Sequence, residues 1–248
     1  MAKSATSSTT SVAKPLMKVC EALEERYGLR KATKTDDFIE ALVYQILELG
    51  VPEKTARDTL KKIREEFVDW NDMRVATVRE IEDILGDKYY RRREKSEDLK
   101  HLLADLYTAF RKMDLSGLLN AEGIETLRAL PDTTLIRRDM VDRALLLVLD
   151  VKVFPCDDDQ LRLLKYLGGV PKQLTNPQIQ KKIEESLDAE QMLRLSRGLR
   201  EHCHFLDCED QDEPQPIGFG WNKADPLGMG KPAKAAKAKG TGKTAKKK

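Results

Sequence analysis

The chain has 248 residues, 40% hydrophobic, 35% charged and only 6% aromatic, a globular balance that excludes fibrous and low-complexity classes. No apolar run approaches the roughly 20 residues that cross a bilayer, so no membrane association is expected. The net charge of +2 conceals an asymmetry: the last stretch, Lys231 to Lys248, holds eight lysines and no acid, and the body is left at about −6. Because aromatics are scarce, the core must come from Leu, Ile, Val, Ala and Met, which favours helices over sheets.

The elements follow in chain order. Residues 1–13 are rich in Ser and Thr, lack a hydrophobic stretch of the secretory kind and are expected to be disordered. Pro15 suits a first helical turn, Leu16, Val19, Leu23 and Tyr27 recur at helical spacing, and Gly28 offers a stop. Phe38, Ala41, Leu42, Gln45, Ile46 and Leu49 mark a second helix ending at Gly50, and Pro52 opens a third through Ala56, Leu60, Ile63 and Phe67. Thr77 and Glu80 form a capping-box pattern before Ile81, Ile84 and Leu85, closed by Gly86. Ser96 precedes a stripe of Leu99, Leu102, Leu103, Leu106, Phe110 and Met113.

After Ile124 and Leu127 the pattern breaks at Leu130-Pro131 and resumes from Met140 to Leu149. Val151 to Phe154 reads as extended. A helix starting near Asp157 carries Leu161, Leu164 and Leu167, Asn176-Pro177 opens another, and Asp188 starts a last one through Met192, Leu195 and Leu199. The expectation is an all-α domain over residues 14–205, an acidic then Gly/Pro-rich linker over 206–230, and a disordered lysine tail over 231–248.

The tail, ending in Lys246, Lys247 and Lys248, interleaves charge with Ala, Gly and Thr. Such a segment neutralises phosphates without sequence preference, so DNA is the expected partner; a solubility tail, or pairing with the acidic stretch Asp207 to Glu213, is the alternative. In the body the only basic run is Lys88-Tyr89-Tyr90-Arg91-Arg92-Arg93, read as a loop between helices. There Arg91, Arg92 and Arg93 would hold phosphate while Tyr89 or Tyr90 stacks on an exposed base, unless the run is simply a solvated loop. The four cysteines, Cys20, Cys156, Cys203 and Cys208, are too few and scattered for a disulfide framework, which points to a reducing cytoplasm.

Two strings, LRALP (Leu127 to Pro131) leading to PCDDDQLRLL (Pro155 to Leu164), and KSEDLKHLL (Lys95 to Leu103), resemble the endonuclease III branch of the helix-hairpin-helix DNA glycosylases over about residues 36–204. The resemblance implies an all-α, endonuclease III-like helix-hairpin-helix fold and a base-excision-repair role in which Asp157 is the catalytic aspartate. The alternative is that Asp157, Asp158 and Asp159 simply cap a helix and favour its dipole.

The departures from the family are equally specific. LPDTTLIRRDM (Leu130 to Met140) lacks the hairpin glycines that let amides approach a phosphate, leaving Arg137 and Arg138 as side-chain substitutes. The lysine that forms a Schiff base in bifunctional members would fall eighteen residues before Asp157, where this chain has Asp139, so lyase chemistry by the family route is not expected. The glutamine that fills the gap of a flipped base is not evident. The family's iron-sulfur cluster needs four cysteines near the C-terminus; only Cys203 and Cys208 lie there, so no cofactor is expected. Nor is zinc at His202, Cys203, His204 and Cys208, since neighbouring residues point in different directions. The implied function is therefore a monofunctional DNA glycosylase without lyase activity in the cytoplasm, associated with the nucleoid. The alternatives are a non-catalytic DNA-binding or nucleoid-associated protein that keeps the scaffold, and a protein-interaction module tethered by its tail.

Overall fold

The computed structural model describes residues 12–29, 34–130 and 136–210. Among them are eleven α-helices: α1 (Ala13–Tyr27), α2 (Phe38–Glu48), α3 (Glu53–Glu66), α4 (Trp70–Val75), α5 (Val78–Leu85), α6 (Arg92–Phe110), α7 (Ala121–Arg128), α8 (Arg138–Leu149), α9 (Asp158–Tyr166), α10 (Asn176–Ser186) and α11 (Ala189–Asp210), with one 3-10 turn at Ser116–Leu118. The described residues contain no strand, and no helix among them is long and apolar enough to cross a membrane. The hairpin residues 131–135 and the tail, with Lys246, Lys247 and Lys248, lie outside the described residues.

Local chemistry sets most of the helix ends. Asp37 caps α2 by accepting from the amides of Ile39 and Glu40 at 2.9 and 3.1 Å, and its other oxygen accepts from the Trp70 indole at 2.6 Å. The expected capping box of α5 is present, Glu80 accepting from the Thr77 amide at 2.6 Å. The sequence reading missed α4, six residues long, which Asp69 starts by accepting from Asp72 at 2.8 Å. Val151 to Phe154 is irregular rather than part of a sheet: Glu184 and Gln180 of α10 bind the Phe154 amide and carbonyl at 2.9 and 3.2 Å. A side chain does there what a neighbouring strand would otherwise do.

The helices gather around two apolar cores. Helices α2 to α8 enclose Phe38, Leu42, Ile63, Met73, Leu103 and Leu145. Helix α1 returns to pack along α11, and with α9 and α10 encloses Leu16, Leu23, Phe154, Ile183, Met192 and Phe205. Between the lobes run α8 and α11, and here the packing changes character. Glu48, Arg143, Arg197, Arg200 and Glu201 are all buried, and charges are buried only where partners exist. Arg197 reaches Glu48 at 2.9 Å and Glu53 at 3.5 Å, while Arg143 donates to Gln45 Oε1 at 2.8 Å and Ser196 Oγ at 3.0 Å. The seam between the lobes is thus polar and geometrically specific, and the candidate site opens along it.

Candidate active-site cleft

A cleft of about 310 Å³ lies between the lobes, bounded by the C-terminal end of α2, the start of α6, the starts of α8 and α9, and the last turns of α11. Asp157 stands on its rim. The carboxylate is the N-cap of α9: Oδ1 accepts from the Gln160 amide at 2.8 Å and Oδ2 from the Gln160 side chain at 3.1 Å. Arg137 approaches the same carboxylate at 3.7 Å. The capping role and the cleft position are therefore both real, and they coexist in one side chain.

Behind Asp157, in the first turn of α8, sits Asp139. Burial opposes its ionisation, but Arg143, Arg137 and Arg200 outweigh that cost and hold the carboxyl below its ordinary value. The contacts are Arg137 at 3.1 Å and Arg143 at 3.5 Å. Where the resemblance would put an amine nucleophile, this chain has a buried carboxylate locked between guanidinium groups. Arg138, the other proposed phosphate ligand, is drawn to Asp142 at 3.2 Å and donates to the Arg128 carbonyl at 2.7 Å. With Arg128 also on Asp142 at 2.9 Å, these bonds tie the end of α7 to the start of α8.

The basic run is a loop between α5 and α6 only as far as Arg91. Helix α6 starts at Arg92 rather than Ser96, so Arg92 and Arg93 are helical. Tyr89 and Tyr90 are buried, and Tyr89 donates its hydroxyl to the Leu47 carbonyl at 3.0 Å. Tyr89 is thus a core residue, and Tyr90 meets the cleft only at one edge, packed against His204 at 5.8 Å between ring centres. Free stacking of either ring on a base is not available in this arrangement. Arg92 pairs with Asp87, and Arg93 with Glu97 at 3.0 Å; Arg91 alone of the three lines the cleft, in a left-handed conformation with φ of 49°.

Gly50 explains how this wall closes. Its φ of 69° is one that side chains rarely adopt, and a Cβ there would lie 2.7 Å from the Tyr90 ring. Its amide donates to Glu201 Oε2 at 3.1 Å. Close by, Lys95 sends Nζ to the carbonyls of Leu47 and Leu49 at 2.9 and 2.6 Å, satisfying the C-terminal end of α2. Burial drives the Lys95 ammonium down to about 7, against the raising effect of Glu201. Burial, then Glu48, pushes the Glu201 carboxyl up to about 7. Burial also lowers His204 to about 4, helped by Arg91, Arg200 and Lys95. The sequence reading did not single out Glu201, Arg143 or Arg200; their only signal was a charge on the apolar face of an otherwise core helix.

Among the described residues, the donors for a metal group are not assembled. His202 points into the second lobe, its Nδ1 2.5 Å from the Tyr27 hydroxyl and its ring stacked on Phe205, whereas His204 faces Tyr90 and the cleft. Burial, with Asp157 and Asp207 adding, pushes the Cys203 thiol up to about 12, and Cys156 is raised similarly. Those surroundings disfavour the thiolates that an iron-sulfur cluster requires, so the described thiols do not suit that group.

No protein-family model matches the chain, and no curated protein matches it. Among solved structures it is similar to one described as a trapped endonuclease III–DNA covalent intermediate, an estranged-adenine complex. The likeness has a TM-score of 0.50 and 13% identity, and covers 75% of this chain and 84% of that one. An all-helical chain folded in two lobes around a cleft is the class that the geometry defines. More particularly, the fold is endonuclease III-like, as the two sequence strings implied.

Proposed function

We propose that the chain is a DNA-binding, DNA-repair-related protein of the endonuclease III type, a monofunctional DNA glycosylase acting in base-excision repair without lyase activity. The observation that carries this reading is Asp157 on the rim of the interlobe cleft, oriented by Gln160 and faced by Arg137. A carboxylate so held stabilises the positive charge that develops on the sugar as the base leaves, and orients a water toward C1′. The fold is shared with a protein solved as a covalent DNA complex, which supports DNA as the partner here. No cofactor enters this reading: the thiols near the cleft are held protonated by burial and acidic neighbours. The lysine tail and Arg91, which lines the cleft, would supply backbone affinity, and the location that fits is the cytoplasm, on the nucleoid.

A specific observation favours the second reading, a non-catalytic DNA-binding or nucleoid-associated protein on the same scaffold. Glu94, Asp98, Asp159 and Asp207 line the cleft with Asp157, and acids repel the phosphate backbone. Base release from the lesion duplexes, with strand nicking read on the abasic one, separates the two readings. Duplexes carrying uracil, thymine glycol or an abasic site would be incubated with the full chain, with a chain ending at Gly230, and with Asp157→Asn. Release that survives loss of the tail and vanishes in Asp157→Asn is the expected result. No release from any duplex, with binding lost along with the tail, would leave the scaffold reading in its place.

A further inference from the structure

A second cavity, of about 330 Å³, opens between α2, α3 and α8 and shares no lining residue with the cleft. One wall is a stripe of α3, where Arg57, Leu60, Lys61 and Arg64 recur at helical spacing. The facing wall is Ala41 and Tyr44, one turn apart on α2, and Leu147 of α8 extends the apolar surface between them. Lys34 adds a fourth cation, against a single lining carboxylate, Glu40. This balance stands out in a body that carries about −6 overall and whose cleft is lined largely by acids.

The cations differ in how firmly they are held. Arg57 donates to Glu53 at 2.8 and 2.5 Å, and Arg64 lies 3.2 Å from Asp37 and 3.1 Å from Glu40, so both guanidinium groups are fixed in place. Lys34 and Lys61 are exposed, and their pairs with Asp150 and with Glu65 at 3.5 Å are of the surface kind that contributes little and is readily exchanged. The Tyr44 hydroxyl is sealed from solvent and has no hydrogen-bond partner among the described residues. Burial pushes the phenol up, which keeps its proton available for donation. We propose that this cavity binds a small amphipathic anion, an aromatic or branched aliphatic body of about a dozen non-hydrogen atoms carrying one carboxylate. The body covers Ala41, Leu60, Leu147 and the Tyr44 ring, and the carboxylate takes the two lysines from their surface partners. Inorganic phosphate and a nucleic-acid backbone bring charge without the apolar body, and a neutral aromatic brings the body without the charge.

The test is a titration of the isotope-labelled full chain, read in amide proton–nitrogen spectra, with three probes: naphthoate, the neutral naphthalenemethanol and inorganic phosphate. Naphthoate should shift Ala41, Leu60 and Lys61 saturably, with a Kd at or below about 1 mM, and leave Asp157 and Gln160 of the cleft unmoved. The alcohol and phosphate should each bind at least roughly tenfold more weakly. Lys61→Glu reverses a charge on a side chain that is 77% exposed, so the fold is kept. It should weaken naphthoate on the order of tenfold and leave the alcohol unchanged, the latter showing that the cavity itself is intact. Four results would each overturn the proposal: no saturable shift by about 10 mM naphthoate, equal binding of the alcohol, equal binding of phosphate, or naphthoate binding that Lys61→Glu does not weaken. Shifts confined to the cleft residues would overturn it too. Since Asp157 lies outside this cavity, none of these outcomes decides whether the protein releases base.

Discussion

The two walls of the cleft treat buried charge in opposite ways. On the side of α8 and α9 every buried carboxylate has a guanidinium nearby, Asp139 lying 3.1 Å from Arg137 and 3.5 Å from Arg143. There ionisation survives burial. On the side of α2, α6 and α11, Arg197 holds Glu48 at 2.9 Å, but Lys95 and Glu201, equally buried, direct their hydrogen bonds to backbone carbonyls and to a backbone amide. Both move to about 7, from opposite directions. Desolvation costs a charge on either wall; what differs is whether a close opposite charge returns that cost. The paired wall is built for rigidity, and the other holds groups whose protonation is poised.

The sharpest way to break this comparison is to unpair the first wall. Arg143→Met removes the bonds to Gln45 and Ser196 and leaves Asp139 with Arg137 as its nearest cation. A loss of about 3–5 kcal/mol is expected in denaturant unfolding, the cost of breaking a buried pair. Adding Asp139→Asn should recover part of it, because the stranded charge goes too. A single-variant loss below about 1 kcal/mol would mean that Arg143 is not integral to the seam.

Gly50→Ala attacks the second wall through its backbone. The new Cβ would meet the Tyr90 ring at 2.7 Å in a conformation with φ of 69°. The left-handed penalty and the overpacking together should cost about 2–4 kcal/mol, seen as a lowered unfolding midpoint. A near-neutral result would show that the wall yields, and that Lys95 and Glu201 are less firmly buried than the structure has them.

Titration sharpens the contrast further. The Glu201 carboxyl is raised from 4.5 to about 7 on folding, so between those values the folded state holds a proton that the unfolded state has released. Its stabilising contribution is complete below about pH 4.5 and is lost as the pH rises to about 7. Lys95, lowered from 10.5 to about 7, does the reverse: its contribution is complete above about pH 10.5 and is lost as the pH falls to about 7. Stability from this pair should therefore pass through a minimum near neutrality. Glu201→Gln keeps an acceptor for the Gly50 amide and should raise stability at about pH 7.5 by on the order of 1–2 kcal/mol, while flattening the acid limb. An unchanged pH profile would mean that Glu201 ionises normally.

The sequence disclosed the parts of this molecule that depend on neighbours close in the chain. The Thr77–Glu80 box, the stops at Gly28 and Gly86, and Asp157 at the head of α9 are local events, and each is legible from three or four consecutive residues. The same reading placed Asp139 where an amine was sought. It started α6 too late, because Arg91 enters the left-handed region that glycine usually occupies and the chain turns there without a visible signal. It took Tyr89 and Tyr90 for surface rings, although the carbonyl of Leu47, 42 residues earlier, holds Tyr89 inside. The seam was opaque for the same reason: Arg143 draws on Gln45, Asp139 and Ser196, from three helices, and no local pattern joins them.

The smallest expected effect on stability is the one that bears most on function. Asp157→Asn keeps an N-cap acceptor for the Gln160 amide, since Asn and Asp cap helices comparably well. The bond from the Gln160 side chain to Oδ2, the weak attraction to Arg137 at 3.7 Å and the favourable charge at the start of α9 are lost. The change in unfolding free energy should stay under about 1 kcal/mol, whereas Asp157→Ala, which removes the cap, should cost about 1 kcal/mol more. If Asp157 did no more than cap α9, Asn would preserve every property of the protein and Ala alone would matter. A variant that folds like the parent but no longer releases base would show that the negative charge, rather than the capping oxygen, is what the cleft uses.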